Sequence, residues 1–103
     1  MPTLWLRGGR RVNTAGKGRR NEHRSRDLLK ALGYRVLRSA GSLGAFDLLG
    51  LSATDLVAVQ VKTNRPPSAL ELRELAEYPV PPHCRKLVHV WKDRQRLPLV
   101  QEL

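Results

Sequence analysis

The stretch FDLLGLSATDLVAVQVK, residues 46–62, holds two short apolar segments around a polar turn and predicts two neighbouring β-strands. Side chains alternate across a strand, so Gln60 and Lys62 share one face of the second strand while valines line the other. A lysine in such a strand needs a counter-charge, because an unbalanced charge in apolar surroundings is unfavourable. Asp47 on the neighbouring strand is the nearest obvious partner. These polar positions are the main sequence clue to function.

Composition indicates one soluble domain with an anionic partner. The 103 residues carry 19 Lys and Arg against 9 Asp and Glu, a net charge of +10, and Arg outnumbers Lys by 14 to 5. Arginine makes forked contacts to phosphate, so nucleic acid is the leading partner. An anionic membrane surface is the alternative, but there is no spanning segment and no basic amphipathic helix with a broad apolar face. The single cysteine, Cys84, favours the cytoplasm.

Charge is concentrated at the start of the chain. Residues 1–16 predict a flexible basic arm, and residues 17–103 predict the folded domain. Up to residue 26 only one acid, Glu22, accompanies eight cations, and glycines between them give access to the backbone. Such a surface is either simply solvated or suited to phosphate contact, and we favour phosphate contact.

The predicted element order is helix, three strands, helix, two strands. This order describes a mixed α/β sandwich around one sheet. Gly33 is expected to end the first helix, and Ser68 with Glu71 forms a capping box at the start of the second. The first helix is predicted over Gly18–Leu32. The five strands are predicted over Tyr34–Ser39, Asp47–Leu51, Leu56–Lys62, Leu87–Trp91 and Leu97–Gln101.

The first helix places an acid beside its apolar face. That face is predicted to contain Leu28, Leu29 and Leu32. Glu22 precedes Leu29 by two turns and is nearly in line with it, so it should lie at the edge of the face that docks on the sheet. Glu22 is either an ordinary salt-bridge partner or a ligand directed at the sheet. Considered with Asp47 and Lys62, the ligand interpretation is favoured.

These residue types suit metal-assisted phosphodiester hydrolysis. Mg²⁺ prefers oxygen ligands, which Glu22, Asp47 and the Gln60 amide could supply, and Lys62 could stabilise charge on the phosphate or orient a water. The sequence contains no phosphate-binding loop motif and no context for a Ser-His-Asp triad. Its three histidines lack the spacing of paired metal ligands.

Three pieces of the sequence together resemble a known family. Glu22, then GYRVLRSAGSLGAFDLLG at 33–50 and VAVQVKTN at 57–64 are similar to the core of PD-(D/E)XK nucleases, above all archaeal-type Holliday junction resolvases and their phage-encoded relatives. The resemblance implies a restriction-endonuclease-like core with a mixed sheet of about five strands. It also implies a homodimer that nicks two strands of a four-way DNA junction with Mg²⁺, or Mn²⁺ as a substitute, and needs no small-molecule cofactor.

The resemblance also assigns roles to residues. Glu22, Asp47, Gln60 and the carbonyl of Val61 would hold the metal, and Lys62 would be catalytic. The DNA contacts that the resemblance implies are Lys17, Arg19, Arg20, Arg38, Ser39 and Ser42. We add Arg24 and Arg65 because they belong to the basic surface.

Two departures from the family pattern leave alternatives open. The family usually has Glu where this chain has Gln60, which predicts weaker metal binding, and it tends to have Arg where this chain has His23. The chain could therefore be a resolvase, a branched-DNA-binding module that does not cut, or a nuclease for flaps or duplex. A dimer would need an apolar patch, whose candidates are Leu72, Leu75, Trp91, Leu97 and Leu99, although an ordinary core role is favoured for most of them.

Overall fold

The computed structural model describes residues 14–38 and 45–103. Most of the predicted basic arm, as well as Ser39 and Ser42, lies outside these residues. The described elements follow the predicted order and are α1 (Thr14–Ala31), β1 (Arg35–Arg38), β2 (Leu48–Leu51), β3 (Leu56–Thr63), α2 (Ala69–Glu77), β4 (Cys84–Trp91) and β5 (Leu99–Glu102).

The five strands form one mixed sheet in the order β1-β2-β3-β4-β5. β3 and β4 are parallel, and every other neighbouring pair is antiparallel. The parallel pair is joined through α2, as a parallel connection requires a crossover. The prediction of a five-stranded mixed sheet flanked by helices is confirmed.

The alternation of β3 divides the core into two layers. Val57 and Val59 pack with Leu29 of α1, while Ala58 packs with Leu75 of α2. Val57 and Val59 are fully buried, because β3 is central in the sheet and one helix covers each face. Gln60 and Lys62 continue the face that Ala58 presents to α2.

The docked face of α1 is more polar than the sequence indicates. Asn21, Ser25 and Leu29, each four residues apart, are buried, whereas Leu32 is 67% exposed. The prediction that Leu32 belongs to the apolar face is wrong, because the helix ends at Ala31. Gly33, at φ 100°, then turns the chain, and the Tyr34 N–H donates to the Leu29 carbonyl at 3.0 Å.

A chain of hydrogen bonds joins α1 to β4. The Trp91 indole Nε1 donates to Ser25 Oγ at 2.7 Å, and Ser25 Oγ lies 2.9 Å from His89 Nδ1. Ser25 Oγ accepts from Trp91 and has both a hydrogen and a second lone pair, so it can pair with either tautomer of His89. Beside this chain the Asn21 amide donates to Thr63 Oγ1 at 2.9 Å. These bonds fix α1 across the end of β3 and β4.

Several element boundaries differ from the predictions. α1 begins at Thr14, not Gly18, because a helical glycine costs only about 1 kcal/mol relative to alanine and does not by itself stop a helix. β4 begins at Cys84, three residues earlier than predicted, and β5 begins at Leu99, two residues later than predicted. The capping box is confirmed, with Ser68 Oγ and the Glu71 carboxylate accepting each other's backbone N–H.

The candidate dimer residues separate into two groups. Leu75 and Trp91 are core residues at 3% and 2% exposure, and Leu72 packs against the core. Leu97 and Leu99, by contrast, are largely exposed at and just before the edge strand β5. Of the helices in the described ranges, neither has the length and apolar character needed to cross a bilayer.

Candidate active site

Asp47 is held against β3 by two hydrogen bonds. Its backbone N–H donates to the Val59 carbonyl at 2.8 Å, and its Oδ2 accepts from the Val61 N–H, also at 2.8 Å. β2 begins only at Leu48, so at this point the Asp47 side chain replaces a strand partner for Val61. The carbonyl of an extended residue points to the same side as its N–H, and the Val61 carbonyl is therefore also directed to the Asp47 side of β3.

The pKa of Asp47 depends on its burial and on the charges of its neighbours. Burial, followed by the negative charge of Glu22, raises the pKa of Asp47 above its usual value. The hydrogen bond from Val61 and the positive charges of Lys62 and Arg38 lower that pKa, but less than the other effects raise it. The groups that act on Asp47 thus come from α1, β1 and β3, so three elements converge on this carboxylate.

Glu22 occupies the edge of the docked face of α1, as expected, and forms a salt bridge. Its Oε1 accepts from Arg38 Nε at 3.2 Å, which joins α1 to the end of β1. The Glu22 side chain is 23% exposed and that of Arg38 56% exposed. Glu22 therefore forms the salt bridge that the sequence allowed. Its negative charge also raises the pKa of Asp47, so Glu22 and Asp47 belong to one cluster.

The partner of Lys62 is not the residue that the sequence indicates. Lys62 Nζ lies 3.3 Å from Glu71 Oε2, so its ion pair is with α2 and not with Asp47. The cause is the capping box. Glu71 Oε1 accepts from the Ser68 N–H at 2.9 Å, and this bond holds the carboxylate over the face of β3 that carries Lys62. The prediction of Asp47 as the direct partner is wrong, although Lys62 still acts electrostatically on Asp47.

Gln60 lines a groove beside this ion pair. The groove has a volume of about 340 Å³ and lies between the end of β3 and α2, lined by Ala45, Gln60, Glu71, Glu74 and Leu75. Glu71 and Glu74 were not among the candidate site residues. The capping-box motif identifies Glu71 as a helix residue, but only the packing of α2 on β3 brings it to the site.

Among the described residues, few acidic side chains are available near Asp47 to bind a cation. Within the described ranges no group of three or more His, Cys, Asp and Glu residues is placed to hold a metal ion. The oxygen donors that the sequence predicts are the carboxylates of Glu22 and Asp47, the Gln60 amide oxygen and the Val61 carbonyl. All four are hard oxygen donors of the kind Mg²⁺ prefers.

The predicted DNA-contacting residues differ in their surroundings. Arg19, Arg20 and Arg65 are exposed. Lys17 is paired with Asp93 at 3.2 Å, and Arg24 lies 4.0 Å from the centre of the Trp91 ring and donates to the Gln95 carbonyl at 2.7 Å. The DNA-contacting role of all these residues stays a prediction.

Comparison with solved structures identifies the architecture. Hjc of Archaeoglobus fulgidus, a Holliday junction resolvase from an archaeal hyperthermophile, superposes with a TM-score of 0.64. The match covers 84% of this chain and 71% of that one, at 21% sequence identity. The fold is restriction-endonuclease-like. No protein-family model matches the sequence, and the search of curated proteins found no match. This restriction-endonuclease-like fold agrees with the core that the sequence motifs imply.

Proposed function

We propose that this protein is a divalent-metal-dependent endonuclease that resolves four-way DNA junctions. The observation that carries the proposal is the convergence of Glu22, Arg38 and Lys62 on Asp47, at the end of β3 in a restriction-endonuclease-like sheet. The net charge of +10 supports a nucleic-acid substrate. The fold it shares with an archaeal Holliday junction resolvase supports the choice of a branched one.

In this proposal each residue has a defined task. Asp47, with Glu22, Gln60 and the Val61 carbonyl, would hold Mg²⁺ or Mn²⁺, and the bound ion supplies charge neutralisation and an activated water. Lys62 would donate to a phosphate oxygen or orient the attacking water. Arg38 would exchange Glu22 for a DNA phosphate. Because Gln60 brings no charge, metal binding should be weaker than in a site with Glu at this position.

Paired nicks require two active sites related by two-fold symmetry. We propose a homodimer, since one chain carries only one such cluster within its described residues. Leu99 and Val100 on the edge strand β5, and Leu97 just before it, are each more than half exposed and are candidates for the interface. A cytoplasmic location stays a prediction from the single cysteine.

A second candidate is a DNA-binding module that does not cut. Gln60 and the two ion pairs support it, because Arg38 already neutralises Glu22, and Glu71 already neutralises Lys62. In that case the cluster would be a structural network, and only the basic surface would act on DNA.

Incubation with Mg²⁺ and end-labelled DNA tests these functions together. The substrates should be a four-way junction, a flap and a linear duplex of the same sequence. Symmetrically paired nicks on the junction alone would support the resolvase, and retention of the junction without cutting would support the binding module. Comparable cutting of flap or duplex would identify a nuclease of broader specificity and overturn the junction assignment.

A further inference from the structure

The turn between β4 and β5, residues 92–96, is anchored by side chains of α1 and by Asn64, which follows β3. Asn64, after β3, accepts from the Asp93 N–H at 2.9 Å and donates its amide to Asp93 Oδ2 at 3.2 Å. Lys17 of α1 lies 3.2 Å from Asp93 Oδ1, and Arg24 donates to the Gln95 carbonyl. The pKa of Asp93 is lowered chiefly by the hydrogen bonds from Lys17 and Asn64. We call residues 92–96 the basic turn.

The anchors of the basic turn leave its cations directed to solvent. Asp93 and Gln95 make the contacts to the rest of the protein, whereas Lys92, Arg94 and Arg96 are exposed. Among the described contacts none of these three cations forms an ion pair, because Lys17 and Asn64 already occupy the one acid in the turn. Three positive charges within five residues on a fixed backbone are thus available for an anionic partner.

The basic turn lies at the same end of the sheet as the candidate active site. β3 and β4 run in parallel, and Lys62 is opposite Val90 and Thr63 opposite Trp91 in the ladder. The turn follows Trp91 directly. Arg65, also exposed, follows Asn64 at the same end, so its charge adds to the surface. The basic turn and Arg65 therefore lie at the end of the sheet that carries the cluster around Asp47.

We propose that the basic turn is a second DNA-binding surface, which holds the phosphate backbone of a duplex arm beside the active site. This inference rests on the proposed function for the identity of its partner. DNA suits the surface because the cations are spaced along a rigid turn, and pre-organised cations lose less conformational freedom on binding. No apolar segment for insertion into a lipid surface accompanies them, because Trp91, before the turn, is buried and only Leu97, after it, is exposed.

The test is the salt dependence of DNA binding in EDTA, so that no cutting is needed. The triple variant Lys92→Gln, Arg94→Gln, Arg96→Gln removes the three cations. The matched control is Lys30→Gln, Arg35→Gln, Arg73→Gln, which removes the same charge from exposed residues outside this surface. Affinity for a labelled junction and a labelled duplex would be measured by fluorescence anisotropy from 50 to about 300 mM salt, with circular dichroism to verify folding.

Loss of phosphate contacts changes the slope of log affinity against log salt by about 0.9 for each contact. We expect the basic-turn variant to lose two to three such contacts and about tenfold or more in affinity, while the control keeps the slope of the original protein. Equal losses in both variants would overturn the inference and leave only non-specific charge attraction. Binding to anionic vesicles that depends on the turn, without such dependence for DNA, would also overturn it. Binding through the turn by a protein that never cuts would overturn the nuclease proposal alone.

Discussion

Lys62 Nζ and Glu71 Oε2 lie 3.3 Å apart, so the candidate catalytic lysine is tied to a helix-capping residue. The second oxygen of Glu71 accepts from the Ser68 N–H, and one side chain thereby serves the start of α2 and the end of β3. The pKa of Glu71 is lowered by both contacts, first by the backbone of Ser68 and then by Lys62. A phosphate at this site would therefore compete with Glu71 for the ammonium group.

Glu71→Gln should expose the amine of Lys62 to chemical modification. The amide oxygen can still accept from the Ser68 N–H, so α2 keeps its cap, but the charge that holds Lys62 is lost. We expect faster acylation of Lys62 by an amine-reactive reagent, followed by mass spectrometry. Glu74→Gln, in the same groove, is the control and should leave the rate unchanged. An unchanged rate in Glu71→Gln would mean that the ion pair is not populated in solution.

Asp47→Asn should separate activity from stability. The asparagine oxygen can accept from the Val61 N–H, and the substitution removes a carboxylate whose charged form is disfavoured by burial and by Glu22. We expect an equal or higher melting temperature, near-normal junction binding and a loss of cutting of about 100-fold or more. A lower melting temperature together with collapsed DNA binding would show that Asp47 is primarily structural.

Acid should destabilise the protein through His89. Burial lowers the pKa of His89 to about 4, whereas an unfolded histidine titrates near 6.5. Between these values the unfolded state binds the extra proton, so the free energy of unfolding falls as the pH decreases through this window. The full difference is about 3 kcal/mol, all of it present above pH 6.5 and lost near pH 4.

Urea denaturation at several pH values between 7.5 and 5 would measure this slope. His89→Gln should flatten the profile in that range, while His83→Gln, which removes an exposed histidine, should leave it unchanged. A flat profile in the original protein would contradict the assignment. So would a His89 ring signal that titrates near pH 6.5 in nuclear magnetic resonance.

Two Gly→Ala changes should act in opposite directions. A Cβ on Gly50 would lie 2.8 Å from Val57 Cγ2 and 3.3 Å from the Tyr34 ring, so Gly50→Ala should lower the free energy of unfolding by about 1–3 kcal/mol. Gly18, within α1, has no neighbour within 4 Å of such a Cβ, so Gly18→Ala should raise it by about 0.5–1 kcal/mol. Urea denaturation of both variants would measure the difference. Equal effects would mean that β2 can relax away from Tyr34.

The sheet could be predicted because the alternation of side chains in β3 is visible in the local sequence. Alternation places valines on one face and Ala58, Gln60 and Lys62 on the other, and Gly33 and Ser68 mark helix ends with strong backbone preferences. The buried face of α1 was harder to predict from the sequence. It contains Asn21 and Ser25, whose hydrogen bonds to the sheet join residues more than 40 positions apart. Hydrophobic periodicity therefore predicted Leu32 in their place.

The site could be predicted only in part for a similar reason. Asp47 is fixed by the adjacent strand, a relation that sequence spacing conveys well. The Lys62–Glu71 pair depends on how α2 crosses the sheet after Asn64, and the anchors of the basic turn depend on contacts across 29 and 76 residues. Such long-range pairs leave no periodic signal.

The most direct test of the proposed metal-dependent active centre is single-turnover cutting of a four-way junction across a Mg²⁺ series, by the original protein and by Gln60→Glu. A carboxylate at position 60 should lower the Mg²⁺ concentration for half-maximal cutting by about tenfold, while Asp47→Asn should cut about 100-fold or more slowly throughout. Both active proteins should make paired nicks. If neither protein cuts the junction at any Mg²⁺ or Mn²⁺ concentration while both bind it, the cluster around Asp47 is not an active centre.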